Sequence, residues 1–496
     1  MVSQRLSSMM GGFRDPRMSS RFVAALGAGL LFCLAAASSY VLLPRLGIEK
    51  FVFTIMGVTI GFLYLVVSFK YLTLPYYLTI LSIGGFRFLW SVKAPMLPDL
   101  YLDRMMLILM MLVFAVKFFA EGRRLKGPFA LDLLILAHAT YLFVTVMVQG
   151  FINFNAFSRS ILVPYLMYFF AKNIFQNKRQ VQILFAILLC LGLYYSITSI
   201  AEKFNIYSLL YPADLRLPET HFIGRSIGPF GNPGVFGVTM GLILPLNLYF
   251  LSLTKNGILK ILLIVSMGLG MLGLFFTYTR GPWVSSILGM ITVVWFNRKH
   301  YLKFFLPLLV VAPIIGSVFL GLGNDKFMKE RVENEDTIGS RLGTGVTALR
   351  VWRDHPFLGC GFFRFGIVRE KYIQPVNIPG FETIRFVQFR KNSLHDMYWG
   401  ILAEDGLIGF GMLVGIYFLV LRLYIRVYRR RKLGDHFATF IIPLFMGVMV
   451  TYLVGGLFFS YRYFSTMSSI FLMTAGIANG YDPESYQAIS SKPEQP

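Results

Sequence analysis

Four stretches of this chain carry side chains suited to handling a phosphate ester and a hydroxyl group. Arg225 precedes a compact turn, Gly228 to Gly234. Arg280 is followed at once by Gly281-Pro282. A third stretch runs from Arg341 to Phe365, and His395 opens the block Asn392-Ser393-Leu394-His395-Asp396-Met397-Tyr398-Trp399. A guanidinium is a planar fork that gives two parallel hydrogen bonds to phosphate oxygens, and helix N-terminal amides add positive potential beside it. Near pH 7 a histidine accepts a proton from an attacking hydroxyl, which carboxylates and arginines do poorly. Together these groups suggest a site for an anionic, lipid-linked substrate.

Each residue also has a plainer reading. Arg280 ends the apolar run Leu272–Tyr278, where glycine permits a tight turn and proline suits the first turn of the next helix. It either binds a diphosphate at a hairpin tip or snorkels to lipid headgroups. Arg225 is open between a functional role and a structural one in the turn. Asn232 is placed to cap the following helix. His395 is a proton acceptor or a hydrogen-bonded structural residue. Glu404 lies nine residues beyond His395, on the opposite face of a continuous helix at about 100° per residue. A structural role at a kink, binding a backbone amide, suits it better than partnership with the histidine. No spacing of Asp, Glu, His or Cys resembles a metal site, so neither metal nor cofactor is expected.

The elements that must position these groups are membrane spans. Of 496 residues, 56% are hydrophobic and 14% charged, where a soluble domain would have about a quarter charged. The apolar excess falls in separated blocks, most long enough to cross roughly 30 Å of hydrocarbon. The expected fold is all-α, a polytopic transmembrane helix bundle of about 12–14 spans. Their places are near 22–44, 51–69, 72–90, 104–120, 128–149, 160–176, 180–201, 234–253, 259–278, 283–297, 303–322, 396–425, 438–459 and 463–480. The β-barrel alternation of apolar and polar residues is absent.

The net charge of +23 sits in short connections at every second crossing, among them Arg123/Arg124/Lys126, Lys178/Arg179, Arg298/Lys299/Lys303 and Arg426/Arg429/Arg430/Arg431/Lys432. This is the positive-inside pattern, and such short loops offer no groove for nucleic acid. The chain therefore divides into a basic cytoplasmic segment 1–21, helices over 22–322 with an outer loop at 202–233, a large outer loop 323–394, helices over 395–480, and a disordered cytoplasmic tail 481–496. The segment Phe22–Leu43 is expected to be a retained span rather than a cleaved signal, since its loss would break the charge register. The large loop is rich in aromatics, and Val346–Arg353 has helical propensity that His355-Pro356 would end. Of three cysteines, Cys33 and Cys190 lie in spans and Cys360 in the loop, which leaves no disulfide pair.

In combination these stretches resemble the bacterial O-antigen ligase/polymerase superfamily, over about Phe222 to Gly411. The turn with Gly228, Phe230, Asn232 and Pro233 is similar to that family's glycine/asparagine/proline turn. Thr277-Tyr278-Thr279-Arg280-Gly281 is similar to its arginine-glycine hairpin. Ser340-Arg341, Trp352 and His355-Pro356-Phe357-Leu358-Gly359 resemble its outer-loop signature. His395 to Tyr398, with Leu402-Ala403-Glu404 and Gly406-Leu407-Ile408-Gly409, resembles its histidine–glutamate–glycine block. Three departures stand out: a span count above that typical of the ligases, Asp396 where asparagine is common, and Thr279 where serine is common.

The resemblance implies glycan transfer from an undecaprenyl-diphosphate-linked glycan at the periplasmic face of the bacterial inner membrane. It implies diphosphate binding by Arg225, Arg280 and Arg341 and a catalytic pair, His395 and Arg280, with Gly228, Asn232, Gly281 and Glu404 as supports. The partners it implies are membrane lipids, a glycan or lipid A–core acceptor, and other polysaccharide-assembly proteins. Polymerisation of O-antigen, capsule or exopolysaccharide repeat units leads. Ligation to lipid A–core and protein O-oligosaccharyl transfer follow, and a flippase or transporter is the alternative from another class.

Overall fold

The computed structural model describes residues 59–86 (less 60, 62 and 65), 91–92, 100–210 (less 123, 124 and 128), 224–307, 336–374 and 396–483 (less 432–434 and 462–463). The expected span 22–44, most of 51–69, positions 308–322, both flanks of the large loop, the tail beyond 483, and His395 lie outside the described residues. The chain forms two compact units, residues 1–82 with 102–126 and residues 83–101 with 127–496.

In the first unit, α1 (Thr73–Leu81) packs against α2 (Leu102–Glu121). The Lys117 ammonium donates to the Phe69 carbonyl at 2.8 Å and pairs with Glu121 at 3.5 Å.

The second unit holds the helices that matter for the site. They are α3 (Ala130–Val148), α4 (Val163–Ile174), α5 (Lys178–Lys203), α6 (Pro233–Ile243), α7 (Leu246–Leu253), α8 (Gly257–Phe276) and α9 (Arg280–Phe296), then α10 (Asp336–Asp354), α11 (Met397–Arg429), α12 (Ile442–Gly456) and α13 (Ser465–Asn479). Outside helices the described residues show one antiparallel ribbon, Ser91–Val92 against Leu100–Tyr101, so the fold is all-α as the sequence implies.

Six helical stretches among the described residues are long and apolar enough to cross a membrane: Ala130–Val148, Lys178–Lys203, Pro233–Leu253, Gly257–Phe276, Met397–Arg429 and Phe437–Gly456. Helix α9, with 17 residues, starts earlier than the expected run 283–297, whereas α13, with 15, is shorter than the expected run 463–480.

Local sequence explains where these helices start. Asn177, Asn232, Asn256 and Asp396 each cap a helix by accepting from backbone amides two or three residues on. Helix α10 stops at Asp354, immediately before His355-Pro356, because the residue before a proline avoids the helical region.

The stretch Pro233–Leu253 is 94% buried by surrounding protein, against 28% for Gly257–Phe276 and for Met397–Arg429. It is the axis of the bundle. Small residues let α9 approach it: a side chain at Gly237 would fall 2.7 Å from Pro282. Small residues at helix interfaces let backbones pack closely where lipid offers no hydrophobic drive. Helix α9 packs also on α12, α5 on α8, α4 on α13, and α3 on α11.

Candidate functional site

One end of the bundle gathers the heads of α6, α9 and α11 and the tails of α5, α8 and α12. Its backbone is built first by Glu202, in the last turn of α5. The Glu202 carboxylate accepts from the Ile227 amide at 2.8 Å and from the Gly228 amide at 3.1 Å. Gly228 takes φ 53°, and a Cβ there would fall 2.5 Å from Phe236. Only glycine suits both demands. Asn232 then accepts from the Gly234 and Val235 amides at 2.9 and 3.1 Å, starting α6.

This turn aims Arg225 at the α8–α9 hairpin. Arg225 Nε donates to the Thr277 carbonyl at 3.1 Å, and its Nη2 donates to Thr279 Oγ1. The Ser226 amide adds a bond to the Phe276 carbonyl at 3.1 Å. Arg225 is therefore fixed to the residue that immediately precedes Arg280.

Arg280 is the first residue of α9 and is exposed. The sharp turn falls earlier than the glycine led one to expect, on Tyr278 at φ 45°. Lys203 Nζ stands 4.7 Å from the Tyr278 ring centroid, and Trp283 stacks on Phe275 at 5.3 Å while donating to the Leu274 carbonyl at 2.9 Å. These contacts hold a strained residue in place. Gly281 instead lies within α9, where a Cβ would meet Phe458 at 2.5 Å.

The segment following α12 joins the three helix heads. Phe459 occupies the space beside Gly234 on α6, Phe458 the space beside Gly281 on α9, and Gly456 receives Met397 and Tyr398 of α11. The sequence reading passed over Gly455–Phe459. Its signal was a glycine pair followed by Leu457 and two phenylalanines, which alone is indistinguishable from ordinary lipid-facing sequence.

Asp396 heads α11 and accepts from the Tyr398 and Trp399 amides at 2.7 and 3.1 Å. Burial raises its pKa, against the lowering effect of those two amides. A cap of this kind is made equally well by asparagine, which accounts for the departure at this position. His395 adjoins it in sequence, outside the described residues. Arg341 lies in α10, and its side chain is likewise outside them.

The described part of the large loop is a folded layer over the first turns of α11. Ala348, Val351 and Phe365 pack with Ala403, and Cys360 lies against them. Cys360 and Gly361 amides donate to the Ala403 and Glu404 carbonyls at 2.9 Å, and the Leu407 amide donates to the Pro356 carbonyl at 2.8 Å. The Glu404 carboxylate accepts from the Phe363 amide at 3.1 Å and the Phe365 amide at 3.0 Å. Gly406 breaks the helix at φ 63° and ψ −168°. Gly345 of α10 meets the Trp399 ring.

Beneath this layer lies a buried cavity of about 50 Å³ lined by His138, Tyr165, Asp405, Tyr417, Tyr452 and Ser468. His138 Nδ1 is 2.5 Å from Tyr165 Oη. Asp405 was not singled out in the sequence, because a carboxylate beside Glu404 reads as part of the same polar end. Among the described residues no group of three or more His, Cys, Asp or Glu is gathered as a metal site.

The arrangement defines a multi-pass α-helical membrane protein whose helix heads present arginine beside a folded loop layer. Residues 261–414 match the family described as O-antigen ligase. That match supports membership of the O-antigen ligase/polymerase superfamily, and with it glycan transfer of the ligase/polymerase kind. The matched stretch contains Arg280, Gly281, Arg341, His395 and Glu404, and it stops short of Arg225, Gly228 and Asn232. No curated protein matches the chain.

Proposed function

We propose that this protein transfers a glycan from a polyprenyl-diphosphate-linked oligosaccharide to an acceptor hydroxyl at the periplasmic face of the bacterial inner membrane, joining repeat units into a longer polysaccharide. The observation that carries this reading is Arg225 bound to Thr277 and Thr279, at the residue before an exposed Arg280 on a helix N-terminus. Two guanidiniums and helix amides at one point suit a diphosphate.

In this mechanism the acceptor oxygen attacks the anomeric carbon while the bond from that carbon to the diphosphate oxygen breaks. The bonding pair leaves with the diphosphate, whose charge Arg280 and Arg225 neutralise, with Arg341 as a further cation. The acceptor proton passes to His395. The leaving group is already good, so alignment and charge neutralisation supply most of the catalysis. Glu404 acts through position, since its oxygens hold the loop layer on α11.

Complementation tests the reading. The gene should restore long glycan chains in a strain lacking its repeat-unit polymerase. Restoration only in a strain lacking its ligase would move the acceptor to lipid A–core. Failure in both, with the protein present in the membrane, would count against glycan transfer from this carrier. The orientation has its own test: a cysteine at Ser340 should label from outside the membrane and one at Gly434 should not.

A further inference from the structure

The opposite end of α11 carries a second basic feature that glycan transfer does not use. Arg422, Arg426 and Arg430 follow one another at intervals of four, so they form a ladder on one face with about 6 Å between rungs. All three are exposed. Like charges at this spacing repel, which favours an anionic neighbour. Among the described residues no carboxylate lies within 4 Å of any of them. Asp435 also lines the cavity beside them, its carboxylate engaged by Tyr481 Oη at 2.9 Å and the Ala438 amide at 3.0 Å.

The ladder is exposed without standing alone. It forms one wall of a cavity of about 340 Å³, within the size range of small-ligand sites. The facing wall is apolar, made by Phe129, Ala130 and Leu131 at the head of α3. Phe129 is held there by Lys172 Nζ, 4.6 Å from its ring centroid. From Gly406 to Arg426 is twenty residues of α11, or about 30 Å, one hydrocarbon thickness. The cavity thus falls at the polar boundary of the bilayer away from the candidate site.

We infer that this cavity binds the phosphodiester head of an anionic glycerophospholipid, with the three arginines on the phosphate and the apolar wall against the start of the acyl chains. The shared chemistry with free phosphate is the anion alone. The apolar wall at the membrane boundary selects the lipid. Basic pockets between transmembrane helices are suited to such head groups. A general inner-surface charge would not need a cavity, and this distinction is what the experiment reads.

The test uses full-length protein in zwitterionic detergent, with bound lipid counted by native mass spectrometry. Short-chain phosphatidylglycerol should add as one saturable adduct, and phosphatidylcholine at the same concentration should not. Arg422→Gln and Arg426→Gln should each weaken the adduct about tenfold, a charge-assisted hydrogen bond's worth. Arg426→Lys should stay within about threefold of the native protein, since a single phosphate accepts a point charge. Ala130→Trp fills the cavity with no change of charge and should abolish the adduct. Arg429→Gln removes the same charge off the cavity and should leave binding unchanged. The inference is overturned if Arg429→Gln weakens binding as much as Arg426→Gln, if Ala130→Trp binds normally, or if Arg426→Lys loses as much as Arg426→Gln. Equal binding of phosphatidylcholine, or displacement of the lipid by an equal concentration of inorganic phosphate, would likewise overturn it.

Discussion

Gly359 of the loop layer and Gly406 of α11 face each other so closely that a Cβ on either would fall 2.5 Å from the other's amide nitrogen. Both are left-handed, at φ 70° and φ 63°. The loop signature and the helix break are therefore two halves of one contact. Gly359→Ala should destabilise the protein by about 1–3 kcal/mol from overpacking, with more from the left-handed backbone. Thermal unfolding in detergent would read this. A fall no larger than that of an exposed Gly257→Ala control would show that the contact does not form.

Thr279 supplies Arg225 with a hydroxyl acceptor, and serine would do the same. Thr279→Ser should retain donor binding, whereas Thr279→Val keeps the shape and should weaken it about tenfold or more, the worth of a hydrogen bond to a charged group. Arg280→Lys should be impaired as well, because it keeps charge but loses the bidentate fork. Normal glycan from Arg225→Ala and Arg280→Ala proteins at normal levels would remove the diphosphate clamp.

His395→Ala should lower turnover by about 10²–10⁴ with donor affinity nearly intact, if the imidazole is the general base. Asp396 separates this from a structural effect. Asp396→Ala loses the cap of α11, about 1 kcal/mol, and Asp396→Asn keeps it. Because burial raises the Asp396 pKa above 3.8, its folded carboxyl prefers the proton, so its contribution to stability falls as pH rises from 3.8 through the raised value. Asp396→Asn should therefore melt at or above the native temperature at neutral pH, and the difference should vanish below about pH 3.8. A lower melting temperature for Asp396→Asn at pH 7 would contradict this.

His436, at the end away from the candidate site, gives the opposite sign. Burial, with Lys178 adding to it and Asp435 opposing, lowers its pKa from 6.5 to about 4. The unfolded chain takes up the proton first, so stability is lost as pH falls from 6.5 to about 4 and the loss is complete below that. His436→Phe keeps the ring contact with Phe440, now 4.8 Å between centroids, and should flatten that part of the stability profile. An unchanged slope between pH 6.5 and 4 would assign the acid sensitivity elsewhere.

Much of this molecule is written locally. A transmembrane helix satisfies its own backbone hydrogen bonds, so apolar length and flanking charge were enough to read an all-α bundle. Caps are local too: Asn232 and Asp396 reach amides two and three residues away, and the end of α10 before His355-Pro356 follows from one proline. The tertiary structure decided the rest, because the partners lie far apart along the chain. Arg225 finds Thr277 and Thr279 at separations of 52 and 54 residues, and Glu404 finds the Phe363 and Phe365 amides at 41 and 39. Gly281, read from sequence as the turn, is a packing residue because Phe458 arrives beside it, while the strained turn falls on Tyr278. A side chain's type limits what it can bind, but only the packed helices determine which backbone group comes within its reach.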